Sequence, residues 1–383
     1  MTISLLEEIG PKCRFCQGKG KFFEVITLHN FPKAAQFLPS VDEFDQDLPI
    51  DLKVIECNFC GLVQLDNEPV SYFREVITAA SLNDSSKKIL KEEFGKIVRK
   101  FSLDRAKALE IGAGTGDFLL VLQQLGLDAV GLEYGESNVH KAKTKGVNLI
   151  KGCLLEKPKI EHNYKFIVCN NYLEHQPDIR AFLNRMNESL VSDGYIYISV
   201  PNLDRIFQKG CFYEFVTDHL VYFSKKTLIR VIEMSGFNVE ECYLKNNRND
   251  IVVVAKKRHP RDLDGKKEKM AEIVKSLHRK VEDLTRMGKK VSIWGAGHRA
   301  LALMALSDVD KINFVIDSAP FKQGKYTPRL RKKIVSPNDF FSNERCDCVI
   351  VMLPGSLSGQ VKSYLESIEY KGKVVFFEDQ VLR

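Results

Sequence analysis

The feature that most narrows what this chain can fold into is a glycine-rich loop, Glu110-Ile111-Gly112-Ala113-Gly114-Thr115-Gly116. It lies between a strand pattern, AKALEIG, and a helix pattern, DFLLVLQQLG. A strand that runs through such a loop straight into a helix belongs to a parallel α/β sheet, where ligands bind at the carboxyl ends of the strands. Gly112, Gly114 and Gly116 let the backbone turn sharply and let a ligand approach without meeting a Cβ. Their GxGxG spacing differs from the GxGxxG that lays a pyrophosphate on a helix N-terminus. A cofactor without a phosphate, such as S-adenosylmethionine, suits it better, with an NAD-type site as the alternative. Glu133 ends the next strand pattern, DAVGLEY, 17 residues beyond Gly116. A carboxylate there can accept hydrogen bonds from both hydroxyls of a ribose. Glu110, at the mouth of the loop, joins the cofactor-binding set.

The alternation continues from about residue 85 to 255. A helix pattern, SKKILKEEFGKIVRKF, precedes the loop, and strands YKFIVCNN, GYIYISVP and DIVVVAKK follow. After YKFIVCNN come Asn170, which can touch the cofactor, and His175. His175 faces either the reacting group or only a helix N-terminus. Asp218-His219 lies in a segment between GYIYISVP and the helix pattern KKTLIRVIEMSG. A histidine beside an acid has the composition of a general base, since a carboxylate can orient the ring and raise its basicity. The alternative is a histidine satisfied by a local hydrogen bond.

Nearer the front, Cys13 and Cys16 form one CxxC pair, and Cys57 and Cys60 a second, with 40 residues between the pairs. Two residues between cysteines let both thiolates face one tetrahedral ion, and four sulfurs complete the coordination of a structural zinc. Four ordinary buried thiols, or a redox pair, are the alternatives. A loop of that length between the knuckles should carry structure of its own.

Residues 256–290 are dense in charge, and Met270, Ile273, Val274, Leu277, Val281 and Leu284 recur at three- and four-residue steps. That pattern predicts an amphipathic helix packed against a domain. A strand pattern, KKVSIWGAG, then opens a second α/β unit. Its Gly295-Ala296-Gly297-His298-Arg299-Ala300 string matches the GxGxxA dinucleotide fingerprint, with Asp317 about 20 residues on. Either this is an NAD site or a Rossmann unit put to another use. The basic segment FKQGKYTPR at 321–329 can grip a diphosphate.

The chain has 383 residues, 44% hydrophobic and 28% charged, and a net charge of +7 spread along its length. This is the composition of a globular protein of two or three domains. No apolar run approaches the roughly 20 residues that span a bilayer. The N-terminus lacks the basic start and apolar core of a signal peptide. A cytoplasmic protein with reduced or metal-bound cysteines is expected, with neither nucleic acid nor a membrane as partner.

The whole chain resembles the sugar C-methyltransferase family, which acts on nucleotide-linked 4-keto-deoxysugars. The resemblance rests on CRFC, NFPKAAQFLP and ECNFCGLVQLD, then on EIGAGTGDFLL, NNYLEHQPDIRAFL and DHLVYFSKKTL, and finally on FVIDSAPFKQGKYTP. It implies an α/β protein with a zinc module at 1–75, a class I S-adenosylmethionine-dependent methyltransferase core at 76–258, and a C-terminal Rossmann-like domain at 259–383. That last domain, by the resemblance, binds no dinucleotide and helps to enclose a nucleotide-linked sugar. His219 falls on the family's catalytic base and Asp218 on the acid before it, usually Glu in the family, with His175 polarising the sugar or supporting the enolate. A cytoplasmic enzyme of deoxysugar biosynthesis, acting as a monomer, is the expectation. The chain departs from the family at VITAAS, residues 76–81, where a tyrosine- and serine-bearing pattern is usual, at His298-Arg299-Ala300, and at VMLPG, residues 351–355. Methylation of oxygen on the same scaffold, or binding without turnover, are the competing expectations.

Overall fold

The computed structural model describes residues 11–18, 21–35, 38–75, 82–156, 160–260, 263, 265–342, 346–378 and 381–382. The variant stretch at 76–81 lies outside the described residues. The chain divides into two compact units, Met1–Pro260 and Arg261–Arg383.

At the centre of the first unit is a seven-stranded sheet. From edge to edge it runs Phe237–Lys245, Asp250–Lys257, Leu190–Pro201, Tyr164–Asn170, Lys107–Ile111, Asp128–Glu133 and Leu149–Lys151. The first two strands are antiparallel to their neighbours, and the remaining pairings are parallel. Successive side chains of a strand point to opposite faces, so a strand covered on both sides must be apolar throughout. In Tyr164–Asn170, Phe166 and Val168 join one core, and Ile167 and Cys169 join the other. The helix Asp84–Lys100 covers the Phe166 face. Asn83 caps it by accepting from the Ser86 amide, and Phe94 packs edge-on against Phe118 with ring centroids 4.8 Å apart. Full burial of such a ring contributes about 1.5–3 kcal/mol.

The segment between the two CxxC pairs does carry structure. Phe22–Phe31, Ile50–Cys57 and Val63–Leu65 form an antiparallel sheet. Its fourth strand is Val221–Tyr222, which pairs with Val63 and Gln64. The front sheet is therefore completed by the residues that follow His219, and this pairing fixes where the His219 segment lies.

In the second unit, Ile334–Val335, Val315–Ile316, Val291–Trp294, Cys348–Val351 and Lys373–Glu378 form a parallel sheet, with Val381–Leu382 added antiparallel at one edge. The amphipathic helix spans Lys266–Arg286 and buries Leu277 and Val281. Met270, expected on its packed face, is 55% exposed, because only the C-terminal half of the helix meets the sheet's core. Among the described residues no helix is long and apolar enough to cross a membrane.

Candidate functional site

The two cysteine knuckles meet. Cys13 Sγ lies 3.6 Å from Cys60 Sγ, Cys16 Sγ lies 3.6 Å from Cys57 Sγ, and all four sulfurs fall within 4.8 Å of one another. A tetrahedral ion with bonds of about 2.3 Å needs its sulfurs about 3.8 Å apart, so this set fits zinc. Amides of Phe15 and Cys16 point at the Cys13 sulfur, and those of Phe59 and Cys60 at Cys57. The knuckles are tied to the rest of the unit through their backbones. Arg180 Nε donates to the Phe15 carbonyl at 3.0 Å, the Ile179 amide donates to the Arg14 carbonyl at 2.9 Å, and the Arg230 guanidinium donates to the Cys60 carbonyl. Gln64, buried in the front sheet, accepts from the Arg14 amide and donates to the Lys12 carbonyl.

At the carboxyl end of Lys107–Ile111, Gly112 and Gly116 take φ of +73° and +77°. A Cβ at Gly112 would stand 2.8 Å from the Tyr172 ring, and one at Gly116 2.8 Å from Val147. Glu133 is 1% exposed. Its Oε2 accepts from the Gly114 amide at 2.8 Å, and its Oε1 from the Gly135 amide at 2.8 Å. The carboxylate is thereby aimed at the glycine loop. Glu110 is also buried, and its Oε2 has no hydrogen-bond partner. Burial, with Glu133 and Asp117 nearby, holds its carboxyl well above the usual range. The loop is pinned from the other side, where Lys145 Nζ donates to Asp117 at 2.8 Å and Thr115 Oγ1 donates to the same oxygen.

From the loop the site runs to the histidines through Tyr172, whose ring lies against Gly112 and 6.4 Å from the His175 ring. His175 does not sit on a helix N-terminus, because the helix Ile179–Ser189 is capped by Asp178. Its Nδ1 is instead 2.8 Å from the Asp218 carbonyl, and its ring meets His219 edge-on at 4.8 Å. Among the described residues the His219 ring makes no hydrogen bond. Burial, with His175 beside it, pulls its pKa down to about 3. The expected pairing of the Asp218 carboxylate with His219 is corrected here. That carboxylate accepts from Tyr72 Oη at 2.9 Å, the Ala35 amide at 3.2 Å and Thr217 Oγ1 at 3.3 Å. Adjacent residues in this turn point apart, so Asp218 serves His175 through its carbonyl and does not raise the basicity of His219. Asn170 Oδ1, at the end of its strand, accepts from Ser199 at 2.8 Å and from Lys245 at 3.4 Å.

Residues 86–242 match the family model described as a methyltransferase domain, and residues 258–377 match a C-methyltransferase C-terminal domain. The chain is 25% identical to C-methyltransferase NovU of Streptomyces niveus over 363 residues, which cover 85% of this chain and 86% of that protein. Together these matches support a sugar C-methyltransferase family for the chain. It is an S-adenosylmethionine-dependent methyltransferase. Solved structures similar to part of it include a SAM-dependent methyltransferase from Archaeoglobus fulgidus, 22% identical with a TM-score of 0.37, covering 45% of this chain and 95% of that one. Another, from Clostridium acetobutylicum, is 11% identical with a TM-score of 0.40, covering 46% and 94%.

In the methyltransferase core the unpartnered Glu110 oxygen and the Glu133 carboxylate lie at the glycine loop, where a Cβ on Gly112 or Gly116 would strike Tyr172 or Val147. In the second unit, Asp317 accepts from the Ala296 amide at 2.7 Å and the Ala319 amide at 2.9 Å, the same pattern as Glu133, but it is also paired with Lys322 at 3.0 Å. Within the basic segment at 321–329, Lys322 is thus engaged, and Arg329 pairs with Asp308 at 2.9 Å. Sequence reasoning missed Tyr172, Glu174, Gln64 and the role of Tyr72. Each is one polar or aromatic residue in a strand end or turn, where no periodicity marks it.

Proposed function

We propose that this methyltransferase moves a methyl group to carbon on a nucleotide-linked 4-keto-deoxysugar, through an enolate, with His219 as the base. The observation that carries this reading is the state of His219: a neutral ring without a hydrogen bond, set edge-on against a His175 whose Nδ1 is already committed to a carbonyl. A base serves either acceptor, and a C–H beside a ketone, less acidic than a hydroxyl, has the greater need of one.

Bound S-adenosylmethionine supplies an electrophilic methyl group on sulfur. Glu133 and the glycine loop hold the ribose, Glu110 faces the ammonium group, and Asn170 lines the same strand end. A ketone acidifies the C–H next to it. His219 takes that proton, and the imidazolium formed is paired with the enolate until carbon accepts the methyl group. His175 is fixed so that Nδ1 donates to the Asp218 carbonyl, which leaves Nε2 of the neutral ring as an acceptor for a hydroxyl of the sugar. Burial keeps His219 unprotonated at neutral pH but also makes it a weak base, so the negative enolate beside it has to stabilise the imidazolium that forms.

The four cysteines hold one structural zinc in this reading, and the second unit takes part in binding the sugar nucleotide and not a dinucleotide. The ion pair of Asp317 with Lys322 supports the latter, since it ties up the carboxylate that a dinucleotide ribose would need. Incubation with a panel of nucleotide-linked keto and hydroxy sugars, read by mass spectrometry, tests the substrate class. A new methyl on carbon of a keto sugar is expected. Turnover only of hydroxy sugars, with the methyl on oxygen, would defeat the reading.

A further inference from the structure

Asp218 is engaged elsewhere, which leaves Glu174 as the carboxyl group beside the two histidines. It follows directly on the Tyr164–Asn170 strand in the short turn Leu173–His175, is 1% exposed, and its Oε2 has no hydrogen-bond partner. One ligand atom each from Glu174, His175 and His219 lie within 4.8 Å of one another. Two hydrogen bonds to backbone carbonyls lace the turns that carry them. The Leu220 amide donates to the Glu174 carbonyl at 2.8 Å, and His175 Nδ1 meets the Asp218 carbonyl at 2.8 Å.

We propose that Glu174, His175 and His219 form a second divalent-ion site, selective for a nitrogen-preferring transition ion such as zinc or nickel. Three features point to this. Two imidazoles and one carboxylate on one side of a centre are the donor set such ions take, with further positions left open. A metal-binding histidine characteristically gives its other ring N–H to a carbonyl or carboxylate, and His175 is held that way. The unpartnered Glu174 oxygen is the third. Bonds of about 2.1 Å require the ligand atoms to draw closer than 4.8 Å, which small rotations of the three side chains supply.

The consequence for turnover rests on His219 being the base, since a ring nitrogen that binds an ion cannot accept a proton. The site itself does not rest on that reading. A bound ion is then an inhibitor that the acceptor sugar displaces.

Calorimetric titration with nickel chloride tests the site, using full-length protein that retains its cysteine-bound metal. One saturable nickel ion per chain is expected, with affinity lowered at least about tenfold in Glu174→Gln. His219→Asn, which does not touch the buried carboxyl, should lower it comparably and guards against a Glu174 variant that folds poorly. Retained S-adenosylmethionine binding certifies each variant. No saturable nickel binding, or binding unchanged in both variants, overturns the proposal. In a parallel activity assay, nickel should inhibit, and excess chelator should restore the rate. Nickel bound with no loss of rate would count against His219 as base and leave the ion site standing.

Discussion

Tyr72 donates its hydroxyl hydrogen bond to the Asp218 carboxylate at 2.9 Å, so a residue leaving the cysteine module holds the neighbour of the proposed base. A hydrogen bond to a charged acceptor is worth about 1.5–3 kcal/mol. Tyr72→Phe should therefore lower kcat/KM about tenfold or more while S-adenosylmethionine affinity stays unchanged, because the glycine loop is untouched. Steady-state kinetics beside cofactor calorimetry check this. An unchanged kcat/KM would make Tyr72 a bystander.

The cysteine cluster should hold one zinc per chain, and Cys57→Ser should aggregate or misfold, because binding energy at a closed four-sulfur site is folding energy. Elemental analysis of protein prepared without chelators gives the count. The absence of stoichiometric zinc would end this part of the account.

Glu133→Ala should weaken S-adenosylmethionine binding at least about tenfold, since a ribose hydrogen bond to a carboxylate contributes about 1.5–3 kcal/mol. Part of the loss would come from the loop, because Glu133 also accepts from the Gly114 amide. Calorimetry with unchanged affinity would place the ribose elsewhere.

The buried titratable groups give stability a predictable pH dependence. His219 falls from an ordinary value near 6.5 to about 3 in the folded chain, so the unfolded chain binds the extra proton between those values. Stability should then drop as pH falls through that window, by up to about 1.4 kcal/mol per pH unit for a fully coupled group. Glu174 acts in the opposite sense: burial raises it from 4.5 to about 8, and stability is lost as pH rises between those values. Denaturant midpoints across pH should show a flatter acid side in His219→Asn and a flatter alkaline side in Glu174→Gln. Slopes identical to the parent in both would contradict the buried, neutral state of these groups.

Much of this was legible in the sequence because it is periodic or fixed in spacing. Two CxxC pairs, a GxGxG loop between strand and helix, and an acid closing the next strand each follow from local rules, and the structure places each of these residues together. What could not be read depends on which way a turn points. Asp218 and His219 are adjacent, and sequence suggested a pair. The Val63↔Tyr222 pairing sets the turn so that one side chain meets Tyr72 and the other His175. The front sheet was hidden for a similar reason, since its fourth strand has two residues and comes from far along the chain. Met270 carried the right period, yet only the C-terminal half of its helix meets the core.

In the proposed mechanism His219 removes a proton from carbon. With a nucleotide-linked 4-keto sugar and S-adenosylhomocysteine bound in D2O, the parent enzyme should wash deuterium into the carbon next to the ketone, although no methyl group is available. His219→Asn keeps the approximate size and polarity but not the base, and loss of a general base typically costs about 10²–10⁴ in rate. This variant should lose both deuterium exchange and methyl transfer while still binding cofactor. Exchange and methyl transfer at near-parent rates in His219→Asn would contradict it.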